Sequence, residues 1–257
     1  MERFWYFLIP LAVLVMAEAI WPRRRRELSR LSRWSSALLL MGIGIVFMRL
    51  LVPAGLVGIA LLAEAYGFGL FHHVSVPLWI VAIGGYVLFD FAVWAQHVAM
   101  HRVDFFWRFH RVHHADPDFD VFTALRFHPG EFLISLVWKG AVVALIGAPA
   151  IFVLWYEVLL NVGAMFNHSN LKLPLRLDRW LRFGIVTPDM HRVHHSTDHI
   201  EANRNFGFFI PWWDRLFGLY QSQPASGHED MQIGQKDWRN RSDQSIWALL
   251  VQPRYKP

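Results

Sequence analysis

The pentapeptide HRVHH occurs twice in this chain, at residues 110–114 and again at residues 191–195. On an α-helix, positions i, i+3 and i+4 lie on one side, so each copy presents three imidazoles in the same general direction. A third array, formed by His97 and His101, has the i, i+4 spacing and adds two more on one helix face. The spacing predicts that segments far apart in the sequence contribute histidines to a common site.

The sequence around these arrays is apolar. Of the 257 residues, 54% are hydrophobic and only 18% are charged, whereas soluble proteins carry about 25% charged residues. We therefore expect an all-α, polytopic membrane bundle of about four to five membrane helices, in which about 20 residues cross roughly 30 Å. Residues 54–71 are expected to re-enter or to lie in the interface, because Glu64 and several glycines interrupt them. The predicted crossings are residues 4–20, 34–52, 78–97 and the two halves of 132–166.

Residues 132–166 are broken by GAPA at 147–150, which predicts a helical hairpin that enters the membrane and returns. Such a hairpin crosses twice or not at all, so residues 97–128 and 168–199 must lie on the same face of the membrane. The two HRVHH copies can therefore meet on a helical cap outside the hydrocarbon. We also expect the helix at 78–97 to continue out of the membrane as far as His101.

Six arginines between residues 23 and 33 follow the first apolar segment directly, as is typical of a cytoplasmic loop. Because this cationic run resists translocation, the N-terminal segment is expected to be an uncleaved membrane helix rather than a signal peptide. If residues 54–71 do not span, the histidines lie on the cytoplasmic face; if they span, the histidines lie opposite the arginines. We favour the first alternative. No nucleic-acid partner is expected, since no nucleic-acid-binding module accompanies the net charge of +5.

The chain has no cysteine, so any metal must be held by His, Asp or Glu. A neutral imidazole offers one lone pair to a metal. The eight histidines of the three arrays are too many for one ion but suit two ions of four to six coordination. Unliganded, each buried imidazole without a partner would cost about 1–3 kcal/mol. Isolated histidines at a membrane boundary are more often interfacial, and we interpret four in this way: His72, His73, His199 and His228.

Three further side chains lie at useful positions. His168 begins the return to the aqueous side after the hairpin, which favours a ligand. His128 precedes a proline and is open between a ligand and a residue that supports a ligand. Asp90 precedes His97 by seven residues, so its carboxylate either orients an imidazole or is an ordinary polar group packed in the bundle.

Imidazole suits Zn, Cu, Fe and Ni, so ligand type alone does not identify the metal. The HExxH motif of hydrolytic zinc sites is absent. A pair of irons held by histidines can instead reduce O₂, and a site at the lipid boundary suits attack on C–H bonds of a lipid.

The order HxxxH, HxxHH, a single later His and a final HxxHH resembles the fatty acid hydroxylase or sterol desaturase superfamily of integral-membrane, non-haem di-iron enzymes. Three stretches carry the resemblance: LFDFAVWAQHVAMHRVDFFWRFHRVHHADPDFDVFTALRFHP, FNHSNLKLP and TPDMHRVHHSTDHIEANRNFGFFIPWWDRLFGLY. The similarity is strongest over about 78–220. We expect residues 1–257 to form one membrane-embedded domain, with residues 221–257 as a loosely held, peripheral tail.

The resemblance implies O₂-dependent hydroxylation or desaturation of a lipid such as a sterol or a fatty acyl chain. It implies two iron ions, with zinc as a substitute in purified protein, and O₂ as co-substrate. The chain has no GxGxxG motif, so the electrons must come from an external donor of the cytochrome b5, ferredoxin or reductase type. Arg102, Arg108 and Arg111 either help to dock that donor or contact anionic headgroups. The implied metal ligands are His97, His101, His110, His113, His114, His168, His191, His194 and His195.

One position departs from the pattern. Some family members carry a further histidine four residues before the position of His168, where this chain has Ala164. His128, Asn167 or a water molecule would then complete the second iron site. Asn205, Trp213 and Asp214 belong to the matched motifs and are expected to support the site. A rival interpretation from another class is a non-catalytic membrane protein that binds or senses zinc.

Overall fold

The computed structural model describes residues 2–255, and over these residues its regular secondary structure is helical, without a β-strand. Pro129 and Pro188 each occupy the first turn of a helix, where a proline removes no required hydrogen bond. The α-helices are α1 (Glu2–Ile20), α2 (Arg30–Leu51), α3 (Gly55–Ala65), α4 (Leu70–His73), α5 (Leu78–Arg102), α6 (Asp104–His114), α7 (Pro129–Ile146), α8 (Ala150–Asn167), α9 (Leu175–Leu181), α10 (Pro188–His194), α11 (Trp212–Leu216), α12 (Gly227–Asp230) and α13 (Ile246–Val251).

Four helical segments are long and apolar enough to cross a membrane, and α1 is a shorter apolar helix beside them. The predicted hairpin is confirmed, because α7 and α8 are separated only by residues 147–149. The predicted extension of the third span is also confirmed, since α5 runs from Leu78 to Arg102 without a break. The four segments are Arg30–His73, Leu78–Arg102, Pro129–Ile146 and Ala150–Asn167.

Helices α2 and α3 lie end to end along α7. Gly44 of α2 packs against Phe132 near the start of α7, and Gly140 in the middle of α7 packs against Ile59 of α3. Helix α3 has 11 residues, which is roughly 16 Å and too short to cross alone. Residues 54–71 therefore do not form a separate crossing, which agrees with the favoured alternative; α3 lies in line with α2, and both belong to one candidate span, Arg30–His73. The break comes from Pro53, whose ring cannot occupy a helix interior.

The arginine segment and the histidines lie on the same face of the bundle. Two crossings separate them in the sequence, α2 with α3 and then α5, which returns the chain to the side where it started. Arg33 lies 2.6 Å from a carboxylate oxygen of Asp116 and 2.6 Å from one of Asp120, directly beyond α6. The arginines are thus partners of acidic residues in the cap as well as a topology signal.

The C-terminal residues are not loosely held, which corrects the expectation of a peripheral tail over residues 221–257. Leu249 and Gln244 are fully buried. Arg126 donates to Gln244 Oε1 at 2.6 Å, and Arg111 donates to the carbonyl of Tyr255 at 2.6 Å. Some of the polar groups of this segment therefore satisfy buried guanidinium groups, while others are exposed to solvent.

The turn of the α7–α8 hairpin requires glycine. Gly147 ends α7 with φ 67°, and a Cβ there would lie 2.8 Å from the His72 ring and 2.9 Å from the Phe68 carbonyl oxygen. We expect Gly147→Ala to destabilise the protein by at least about 1–2 kcal/mol, because alanine disfavours left-handed backbone. Thermal unfolding in detergent measures the change. Gly42→Ala is the matched control, since Gly42 lies within α2 with open space at its Cβ position; it should gain roughly 0.5–1 kcal/mol. Equal behaviour of the two variants would contradict this account of the turn.

Candidate metal centre

Nine histidines converge at one end of the bundle, in the cap formed by the end of α5, by α6, by the end of α8 and by α10. They form two groups, and within each group the candidate ligand nitrogens all lie within 4.8 Å of one another. The first group is His97, His101, His110, His114 and His194; the second group is His113, His168, His191 and His195. The structure thus brings together all nine histidines that the sequence analysis proposed as ligands.

Each HRVHH copy is divided between the two groups. From α6, His110 and His114 belong to the first group while His113 belongs to the second. From α10, the assignment is reversed: His194 belongs to the first group, while His191 and His195 belong to the second. Each group therefore needs both copies. The rings of His114 and His195, one from each group, stack at a centroid distance of 4.3 Å.

Backbone carbonyls in the loop after α10 orient two of the imidazoles. His97 Nδ1 donates to the Phe206 carbonyl, and His194 Nδ1 donates to the Arg204 carbonyl, both at 2.8 Å. Asn205 lies between these carbonyls with φ 53°, an unusual conformation for a residue other than glycine. Its side-chain amide donates to the carbonyl of Met190 at 2.8 Å and thereby ties the loop to α10.

Asp214 holds the same loop from the other side. Its carboxylate accepts from the backbone N–H groups of Phe206 and Gly207 at 2.9 and 2.8 Å, and from Trp94 Nε1 at 2.9 Å. Burial raises the pKa of Asp214 to about 6. The side chain acts on the site through the backbone of the loop and not by direct contact with an imidazole.

The arrangement of His97 and His110 fits a bound cation. His97 Nδ1 donates to a carbonyl, and His110 Nδ1 lies 2.7 Å from Glu131 Oε1, so Nδ1 is the protonated nitrogen in both rings. Both Nε2 atoms then carry lone pairs, yet they lie only 3.1 Å apart. Two lone pairs at this distance repel each other unless a positive ion lies between them. A metal with imidazole ligands satisfies this geometry.

Five histidines of the cap are suited to a metal because burial keeps them neutral. Burial lowers the pKa of His168 and of His194 to about 3. Burial also lowers the pKa of His113, His191 and His195 well below the usual value, and neighbouring imidazoles lower it further. The ring nitrogens therefore keep their lone pairs near neutral pH, and several of them, including His194 Nε2, have no hydrogen-bond partner among the described residues.

Glu131 is a residue that the sequence analysis missed. It lies in the first turn of α7, is 5% exposed, and accepts from His110 Nδ1. A carboxylate behind a ligating imidazole fixes the ring and increases its basicity. The available signal was an acidic residue at the start of an apolar helix that follows a histidine-rich segment.

The four candidates outside the nine take different positions. His128 caps α7: its Nδ1 accepts from Gly130 N–H at 2.9 Å, and its Nε2 lies 3.2 Å from the Leu250 carbonyl. Because both ring nitrogens are occupied by backbone groups, His128 does not belong to either group of histidines. Asp90 accepts from Trp213 Nε1 at 2.8 Å, so its carboxylate joins α5 to α11 and does not orient His97. Asn205 lies in the loop after α10 and does not contribute to either group of histidines.

The second group has close neighbours at the end of α8. Asn167 donates to the Phe208 carbonyl at 2.7 Å, and its buried Oδ1 has no partner among the described residues. Ala164, at the position where some family members have histidine, contributes its carbonyl to His168 Nδ1 at 2.7 Å.

His228 differs from its predicted interfacial position. It is 3% exposed, with Nε2 3.7 Å from a carboxylate oxygen of Asp189. The Arg24 guanidinium donates to the backbone carbonyl of Glu229 at 2.8 Å, which draws α12 against the cap and buries the ring. His199 is exposed.

Removal of the Glu131 carboxylate, which accepts from His110, should weaken metal binding by the first group of histidines. We expect Glu131→Gln to lower the affinity for iron by about 10–100-fold, the usual effect of losing such a hydrogen-bond partner. Metal analysis of purified protein after dialysis against a chelator measures this. Glu157→Gln, on α8 and outside the two groups of histidines, is the control. Undiminished iron retention in Glu131→Gln would show that Glu131 does not support His110.

Comparison with known proteins agrees with this centre. The sequence profile described as fatty acid hydroxylase matches residues 82–219. Ornithine lipid hydroxylase OlsE of Rhizobium tropici is 28% identical over 180 residues, which is 69% of this chain and 51% of that protein. Human alkylglycerol monooxygenase is 26% identical over 140 residues, 52% of this chain and 29% of that protein. Rat cholesterol 25-hydroxylase is 26% identical over 141 residues, 54% of this chain and 46% of that protein.

The chain thus spans about half or less of the length of these relatives, and no solved structure shows a significant match to it. The profile match covers more than half of the chain and includes every histidine of the two groups. This chain belongs to the fatty acid hydroxylase family.

Proposed function

We propose that this protein is an O₂-dependent lipid hydroxylase with two iron ions, one at each group of histidines. The observation that carries the proposal is the pair of adjacent histidine groups at the end of an apolar bundle. The relatives include an ornithine lipid hydroxylase, an alkylglycerol monooxygenase and a cholesterol 25-hydroxylase, which favours hydroxylation over desaturation. The substrate is a membrane lipid with a long apolar part, such as a sterol or a fatty acyl chain, and residues 1–257 act as one domain.

Iron at these groups would supply the activation of O₂: with two electrons and two protons, one oxygen atom enters a C–H bond and the other leaves as water. The chain's own residues hold the metals and keep bulk water away. Phe127 stacks on His113 with centroids 4.4 Å apart, and Phe206 lies against His97 at 5.4 Å. These rings form apolar walls next to the imidazoles. The electrons come from an external donor of the cytochrome b5, ferredoxin or reductase type.

We further propose that the centre faces the cytoplasm. The arginine-rich segment at 23–33 lies on the same side of the bundle as the histidines, and such segments favour the cytoplasmic side. A cytoplasmic centre is accessible to soluble electron donors.

The decisive experiment is mass spectrometry of lipids from cells with and without this protein. We expect a lipid that gains one oxygen atom only when the protein is present. The variant His110→Ala with His194→Ala, shown to be folded by its elution profile, should lose this product. A product that persists in the variant, or a loss of two hydrogens instead of a gain of oxygen, would contradict hydroxylation at this centre. Two zinc ions that are bound tightly from metal-balanced medium, with no lipid product, would instead indicate a zinc-binding protein.

A further inference from the structure

Helix α9 exposes large apolar side chains, while the acidic residue Asp178 and the cap residue Arg182 are buried. Asp178 and Arg182 are 5% and 4% exposed and form an ion pair at 2.7 Å. Leu175 and Trp180, in contrast, are 71% and 73% exposed. In an aqueous environment a surface helix has the opposite distribution. The exposed face of α9 is therefore matched to an apolar environment.

The apolar surface continues onto α11. Trp212 Nε1 donates to the Phe183 carbonyl at 2.6 Å, which joins the end of α9 to the start of α11. Leu216 is 71% exposed and Phe217 is 51% exposed. We call this continuous surface the outer apolar surface. It consists of Leu175, Trp180, Phe183, Trp212, Leu216 and Phe217.

This surface is continuous with the membrane-spanning part of the protein. Phe217 stacks on Trp94 of α5 with ring centroids 4.8 Å apart. Trp94 lies eight residues before the end of α5, one of the four candidate spans. Helix α9 begins eight residues after the last residue of α8, another span. Both ends of the surface are therefore held at the level where the spanning helices leave the lipid.

Basic residues border the same surface. Arg176 and Arg179 are exposed on α9, and Lys172, 59% exposed at its side chain, lines a cavity of about 450 Å³ together with Arg23. Cationic side chains beside exposed tryptophan and leucine are typical of helices that lie in the boundary between headgroups and acyl chains, where anionic lipids attract them.

We propose that the outer apolar surface binds the lipid leaflet on the histidine side, with α9 lying in the headgroup boundary of that leaflet. The partner is the bilayer itself, at a place outside the membrane-spanning helices. This contact also reaches the metal centre, because Asp178 accepts a hydrogen bond from Thr187 Oγ1 at 2.6 Å. Thr187 caps α10, the helix that carries the second HRVHH copy.

The absence of cysteine allows single labels to be introduced without other changes. We would attach a nitroxide to Trp180→Cys and, separately, to Leu216→Cys, in the full chain reconstituted in nanodiscs of phosphatidylcholine and phosphatidylglycerol. Spin relaxation by O₂, which concentrates in lipid, is compared with relaxation by a soluble nickel complex. Both labels should be relaxed more strongly by O₂ than by nickel. Asp237→Cys, at an exposed loop of the cap, is the control and should show the reverse.

The basic residues beside the outer apolar surface allow a second measurement. Arg176→Gln with Arg179→Gln, in the Trp180→Cys background, should shift the label towards nickel accessibility in discs that contain phosphatidylglycerol. In discs of phosphatidylcholine alone the same substitutions should have little effect. Nickel accessibility at residues 180 and 216 as high as at 237 would overturn the proposal and would leave the surface to a protein partner or a second copy. Neither measurement depends on iron or on a lipid product, so failure here is distinct from failure of the proposed hydroxylase function.

Discussion

For the proposed di-iron hydroxylase, replacement of His113 by alanine should reduce the iron content from two ions to about one per chain and lower product formation to about 1% or less. His113 is one of only four histidines in the second group. Its loss leaves three imidazoles for that iron, while the first group keeps all five. In the proposed function both irons take part in the reaction, so activity should fall much further than metal content. Iron analysis and lipid mass spectrometry of the same preparation measure the two effects.

His114→Ala is the informative comparison, because His114 is adjacent in sequence but belongs to the other group. That group keeps four imidazoles after the substitution, so more iron should be retained than in His113→Ala. His199→Ala, at an exposed histidine that lies outside both groups, should leave iron and product unchanged. Identical iron loss in the variants of His113 and His114 would contradict the division into two groups.

Arg33→Ala should cause the largest loss of stability among the substitutions outside the metal centre. Arg33 is 1% exposed and binds Asp116 through Nε and Nη2 at 2.6 and 2.7 Å. It also donates to Asp120 at 2.6 Å. Removal of the guanidinium leaves the buried carboxylates of Asp116 and Asp120 with only the longer contacts to Arg126 and Arg26 at 4.0 and 3.5 Å and hydrogen bonds from neutral groups, at a cost of about 3–5 kcal/mol. For a chain of this size, the midpoint of thermal unfolding should fall by roughly 10 °C.

Two further variants test whether the loss of stability comes from the buried Arg33–Asp116–Asp120 network or from the removal of any arginine. Arg33→Lys keeps the charge but cannot reproduce the paired hydrogen bonds of the guanidinium group, so it should recover only part of the stability. Arg30→Ala removes a partly exposed side chain that lies over the Trp34 ring at 5.3 Å, which should cost about 0.5–1 kcal/mol. If Arg33→Ala melts within a degree or two of Arg30→Ala, the buried network does not stabilise the cap as we infer.

Much of the fold follows from local properties of the sequence. The length of the apolar runs predicted α5 and the α7–α8 hairpin, and parity placed the two HRVHH copies on one face. The interruption at Pro53 was interpreted as the end of a crossing, because a proline in sequence does not show where the next helix lies. Helix α3 completes that crossing only because it packs along α7, a contact between distant parts of the chain.

The division of each HRVHH copy was also beyond the sequence. On a helix, i and i+4 differ by about 40°, whereas i+3 lies about 60° to the other side of i. His113 therefore diverges from His110 and His114, but the sequence does not show which neighbours lie in either direction. Glu131 was missed for the same reason, since its role depends on the approach of α7 to α6.

The division of the repeated motif also determines how much of the chain must be synthesised before each set of donor nitrogens is complete. A nascent chain that ends after α6 has the nitrogens of His97, His101, His110 and His114 for one group but only His113 for the other. Neither coordination sphere is complete until α10 has been synthesised and the hairpin between them has been inserted. The complete donor sets of both groups therefore come together only in a chain whose hairpin and α10 are already in place.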